Sequence, residues 1–122
     1  MAADISDVVF CRNHVFIPDP DAANHPLIIV RKERNYLLGF VRTDAANSSK
    51  FPNTMLFDYS FAGLIKPSIA ICIKVLKFPV SVVTRVIGSV RIYDFELIRA
   101  ESIGCGGINH VKEYGLLKEE LL

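Results

Sequence analysis

The sequence predicts a mainly β domain of α+β class: a small antiparallel barrel or sandwich of five to seven short strands, with one or two C-terminal helices. Two observations carry this. Runs rich in Val, Ile and other aliphatic residues recur over 8–11, 27–32, 36–42, 54–58, 69–77, 80–83 and 86–91, and such residues suit a pleated, half-buried surface. Clusters of Pro, Gly, Asn, Asp and Ser separate those runs, as turns between strands require. At 122 residues the chain can close one hydrophobic core, so 1–122 is read as a single domain.

Taken in order, 8–11 and 15–17 read as a strand pair or one bent strand. The stretch Pro18-Asp19-Pro20-Asp21-Ala22-Ala23-Asn24-His25-Pro26 is a polar loop, because its prolines exclude both helix interior and central strand. Residues 27–32 and 36–42, joined by Glu33-Arg34-Asn35, form an antiparallel hairpin. A second polar loop over 43–52 leads to the strand 54–58, and 61–67, with Gly63 and Pro67, is a connection. Residues 69–77 and 80–83 are strands on either side of a break at Phe78-Pro79, and 86–91 is the last strand. Residues 93–102 then suit an amphipathic helix with Asp94 near its positive end. Gly104, Gly106 and Gly107 end it. Asn109 is placed to cap a second helix running from His110 toward Leu121, which makes 103–122 a helical extension.

Lys+Arg number 14 against 13 Asp+Glu, so no global field draws the chain toward nucleic acid or acidic lipid, and any RNA binding must come from a local patch. The chain is 51% hydrophobic, a surplus that fits an oligomer interface. Cys11, Cys72 and Cys105 have no metal-like spacing and read as reduced thiols of a cytoplasmic protein; no metal site and no cofactor is expected. The first nine residues contain Asp4 and Asp7 and lack the pattern of a signal peptide. Lys74, Lys77, Pro79 and Arg85 interrupt the most apolar region well short of the roughly 18 residues of a membrane span. Gly104-Cys105-Gly106-Gly107 lacks the Lys-Ser/Thr of a phosphate-cradling loop and reads as a link.

The order of these features resembles the PemK/MazF family. Asp7-Val8-Val9-Phe10 is similar to the family's first strand without its glycine. His25-Pro26 followed by Leu27-Ile28-Ile29-Val30 stands where the family has Arg-Pro before an aliphatic strand, and Phe40-Val41-Arg42-Thr43 with Lys50-Phe51-Pro52 stands where it has a strand ending in threonine and a loop closing at proline. Ile87-Gly88-Ser89-Val90 and the following helix are similar to its last strand and helix. The resemblance covers roughly 7–102. It implies an SH3-like barrel, a homodimer, an antitoxin protein as partner, and metal-independent, sequence-selective endoribonuclease action on single-stranded RNA. The family's catalytic arginine maps to His25 and its threonine to Thr43; the Ser-Glu-Gln residues of the family's loop are absent here. The gyrase-poisoning relatives of this fold imply a second possibility, a barrel without catalysis that binds a protein.

Metal-free RNA cleavage needs a base for the 2′-hydroxyl proton, an acid for the leaving 5′-oxygen, and donors for the phosphorane charge. Histidine, with a reference pKa near 6.5, exchanges protons at neutral pH, so His25 suits the first two tasks. Thr43 and Arg42 are candidates for the phosphate oxygens, and Asn47, Ser48, Ser49, Lys50 and Phe51 for the RNA backbone and splayed bases. Three of them have a plainer role as well: His25 as a solvated or capping loop residue, Thr43 as a strand-end β-former, Arg42 as a rim charge. Aromatics at strand spacing read as core, and Phe51 and Tyr59, which lie in loops, are the stacking candidates. Asp19 and Asp21 read as turn formers, and His14 and His110 as structural or exposed.

Overall fold

The computed structural model describes residues 3–12 and 26–114. It is a small α+β domain, mainly antiparallel β, with seven strands in one sheet: β1 (Asp7–Cys11), β2 (Leu27–Lys32), β3 (Tyr36–Asp44), β4 (Thr54–Phe57), β5 (Ser68–Pro79), β6 (Val83–Ser89) and β7 (Val111–Glu113), with the helix α1 (Ile92–Gly104) between β6 and β7. The strands lie in the order β4-β5-β3-β2-β1-β6, and β7 adds to β5 in parallel. Among the described residues no helix is long and apolar enough to cross a membrane.

Both faces of the sheet are buried, which explains why its central strands read as unbroken apolar runs rather than alternating ones. Val9, Leu27, Ile29, Leu37, Val41 and Ile71 face one cluster together with Val82 and Tyr114. Their neighbours Val8, Ile28, Leu38, Phe40 and Ala70 face the other, which α1 closes with Phe95 and Ile98. Successive residues point to opposite sides of a strand, so adjacent apolar residues each find a core.

The hairpin of β2 and β3 forms as expected, with Leu27 opposite Val41 and Lys32 opposite Leu37 and one register shift between Ile29 and Arg31. Four expectations are corrected. There is no break at Phe78-Pro79: β5 runs through both, with Phe78 fully buried and Pro79 opposite Tyr36. Proline costs little at a strand's last residue, and the chain turns only afterwards, in the 3-10 turn Val80–Val82. The last long strand is accordingly Val83–Ser89 rather than 86–91. The polar loop 43–52 contains a 3-10 helix, Ala45–Lys50. The second helix does not start at His110: 111–113 is β7, because the free edge of β5 takes a partner there, Val75 N–H donating to His110 O at 3.0 Å and Tyr114 N–H to Lys77 O at 2.8 Å. Residues 115–122 of the expected extension, the run 15–17, and the proline loop up to His25 lie outside the described residues.

A bulge in β5 shapes the rest. Between the pairs Gly39 with Leu76 and Val41 with Ile71 lies Phe40 alone on β3, against Cys72, Ile73, Lys74 and Val75 on β5. Extra residues on one strand bend it and raise its twist. At this bend β4 has ended, opposite Ile71, and β7 has not begun, opposite Val75. The gap is filled by the end of α1, which stops on left-handed Gly106, whose N–H closes on Ile103 O at 3.2 Å.

Candidate functional site

The end of β3 carries the chemistry. Arg42 is 8% exposed; its Nε–H donates to Ser68 Oγ at 2.8 Å and its Nη2 to Asp44 Oδ1 at 2.8 Å. Ser68 in turn donates to Lys66 O at 2.7 Å. These contacts occupy two of the five N–H donors of a guanidinium. Arg42 lines a groove of about 290 Å³ with Phe10, Pro26, Asp44, Leu64, Ile65 and Lys66. A shallower hollow of about 200 Å³ continues it, sharing Asp44 and Lys66 and adding Ala45, Ala46 and Pro67. The groove thus combines an apolar wall, on which Ile65 is 90% exposed, with a held guanidinium and an exposed ammonium.

One backbone contact joins two distant parts of the chain at this place. Arg42 N–H donates to Pro26 O at 2.9 Å, so the residue after His25 lies beside the residue before Thr43. His25 itself is outside the described residues.

Thr43 does not face the groove. Alternation along β3 puts it on the side of Val41, away from Arg42; it is 2% exposed, and its Oγ1 accepts from Asn47 Nδ2 at 3.0 Å. That bond pins the 3-10 helix Ala45–Lys50 over the strand end. Phe51 is half-buried and packs against the cluster of Val9 and Val41. Ser48, Ser49 and Lys50 are exposed on the outside of the 3-10 helix. The expected catalytic and RNA-binding residues are therefore divided: Arg42 in the groove, Thr43, Asn47 and Phe51 on the opposite side, and Ser48 to Lys50 in solvent.

Asp44, Lys66 and Ser68 belong to the site and were not singled out in the sequence. A signal for one of them exists: Asp44 stands two residues after Arg42, and period two puts them on one face. Another cleft, about 550 Å³, lies at the other end of β3 between Arg34, Asn35, Tyr36, Pro79, Val80 and Ser81. It is larger than the groove but chemically poorer: among the described residues that line it, Arg34 alone carries a charge. Among the described residues no group of three or more His, Cys, Asp or Glu side chains is placed to hold a metal ion. No protein-family model matches the chain, and no curated protein matches it either.

Proposed function

We propose that the chain is the toxin of a PemK/MazF-type toxin–antitoxin pair, a cytoplasmic, metal-independent endoribonuclease that cuts single-stranded RNA. The observation that carries this reading is the bond from Arg42 N–H to Pro26 O, since it makes neighbours of the two segments that the resemblance pairs in one site. In this reading His25 exchanges the protons of the reaction. Arg42, with donors to spare beside Ser68 and Asp44, takes the charge-stabilising task that the resemblance gives to Thr43. Thr43 then acts indirectly, by holding Asn47. The exposed apolar residues fit a homodimer contact and an antitoxin laid across the groove.

A second reading is a protein-binding module without nuclease activity. The burial of Thr43 and the apolar wall of Phe10, Pro26, Leu64 and Ile65 favour it.

The test is induction in a host cell of the wild type beside His25→Ala and Thr43→Ala, with growth curves and primer extension on total RNA. Cleavage predicts slowed growth and new 5′ ends with the wild type, loss of both with His25→Ala, and partial retention with Thr43→Ala. Slowed growth without new 5′ ends selects the binding module, and a wild type without any effect removes the toxin reading.

A further inference from the structure

The gap at the β5 bend brings two cysteines together. The edge groups of Cys72 have no strand partner there and are closed by others: its N–H donates to Asn53 O at 3.0 Å, and its carbonyl accepts from Ser102 Oγ at 2.8 Å and from Cys105 Sγ at 3.5 Å. Cys72 is buried, its Sγ 3.6 Å from Ala70 O, whereas Cys105 is exposed. The glycines on either side of Cys105 leave its surroundings open. A Cβ added at Gly104 or Gly106 would meet nothing within 4 Å.

We propose that Cys105 and Cys72 are a peroxide-oxidisable thiol pair, a modification site at which oxidation cross-links the end of α1 to β5. Cys105 reacts first because it is exposed: its thiolate attacks one oxygen of hydrogen peroxide, the O–O bond breaks, and the released hydroxide takes a proton to leave as water. Cys105 is then a sulfenic acid. The sulfur of Cys72 attacks the sulfur of Cys105, an S–S bond forms as the S–OH bond breaks, and the Cys72 proton departs with the hydroxide as a second water. Two thiols are oxidised by two electrons in all, and one peroxide is reduced to two waters.

The unequal surroundings of the two thiols set this order. Burial, reinforced by the nearby Glu101 and Cys105, pushes the Cys72 thiol up to about 12, so it stays protonated and inert toward reagents in solution. It reacts only when an electrophilic sulfur is presented beside it. Cys11, also pushed up to about 12 by burial, lies in the other core cluster, on the opposite side of the sheet, and serves as an internal control.

The test treats the intact chain with hydrogen peroxide, unfolds it in an alkylating reagent, and maps the cysteines by mass spectrometry without reductant. The expected result is a loss of two hydrogens, a linked Cys72–Cys105 peptide, alkylation at Cys11 alone, and reversal by dithiothreitol. Closing a loop of this length is expected to raise Tm by about 5 °C or more. Cys105→Ser is expected to leave Cys72 alkylatable after peroxide, and Cys72→Ala to leave Cys105 as a sulfenic acid that dimedone traps. Wild type with Cys105 carried on to sulfinic or sulfonic acid while Cys72 is fully alkylated overturns the proposal, and so does a disulfide formed only between chains. The wild-type map decides the matter even if a variant fails to fold.

Discussion

Two places on β5 meet the same problem and solve it differently. Near its start, Ser68 lies between β3 and β4 and holds Arg42, whose other side-chain donors have no partner among the described residues and which lines an open groove. Four residues further on, Cys72 has lost β4, and the end of α1 comes down on its carbonyl with Ser102, which is fully buried. The first arrangement satisfies a buried charge and leaves it capacity for a ligand. The second satisfies a backbone group and closes the space. A polar cluster with unused donors facing a hollow is a candidate for function, while one with none is a fastening.

Breaking the fastening should have the largest effect. Gly107 sits so close to the bend that a Cβ there would stand 1.9 Å from Cys72 O and 2.6 Å from the carbonyl carbon of Ile73, both backbone atoms that cannot turn aside. Gly107→Ala is therefore expected to cost about 3 kcal/mol or more and to loosen α1 from the sheet. Urea unfolding monitored by circular dichroism checks this, and hydrogen exchange should show lost protection first in 102–114. A cost below about 1 kcal/mol would mean that the gap is soft and that the helix end is not what closes it.

The groove side should respond less in stability and more in binding. Arg42→Met keeps the length of the buried stem and removes the bonds to Ser68 and Asp44. Ser68 still donates to Lys66 O, and Asp44 is half-exposed, so neither is left stranded. The expected cost is about 1–2 kcal/mol. Affinity for a single-stranded oligoribonucleotide, read by fluorescence anisotropy at fixed salt, is expected to fall at least about tenfold. Unchanged anisotropy in a folded Arg42→Met would leave the groove to an apolar partner.

The sequence revealed the parts of this comparison unevenly. The hairpin of β2 and β3 was legible because burial on both faces writes Leu27-Ile28-Ile29-Val30 as an unbroken run bounded by a polar turn. The path of β5 was not, since Pro79 looks like a breaker until its position as the last paired residue is known. β7 was hidden for the opposite reason. It is three residues long, exposed throughout, and exists because β5 has an edge to offer, a tertiary fact without a local signature. At the site, Arg42 was visible as a charge beside a strand end, but the burial of Thr43 depends on Asn47 folding back in a 3-10 helix, and a polar loop does not announce that turn. The nearness of Cys72 and Cys105 was likewise invisible, being a product of the bulge.

The smallest effect is expected where polar groups are satisfied at the surface, and it gives the comparison a third point. Asp58 accepts from Phe61 N–H at 3.2 Å and Ser60 Oγ at 3.1 Å through Oδ1, and from Arg91 Nε at 3.0 Å through Oδ2. Arg91, which precedes α1, also stacks 4.2 Å from the Phe61 ring centroid. The Phe61 N–H first, and then Arg91, hold the Asp58 carboxyl below its ordinary value of 3.8. A carboxyl with a lower pKa in the folded than in the unfolded chain binds fewer protons when folded, so its contribution is fully present above about 3.8 and is lost as the pH falls through the folded value. Asp58→Asn should thus lower Tm slightly at neutral pH, with the gap from wild type narrowing below pH 4 and shrinking with added salt, because the network is open to solvent. Thermal unfolding of both proteins from pH 7 to pH 2.5 measures it. A gap that stays constant across that range would assign the effect to the shape of the loop rather than to the charge, and would place Asp58 with Ser102 among the fastenings instead of among the ionic contacts.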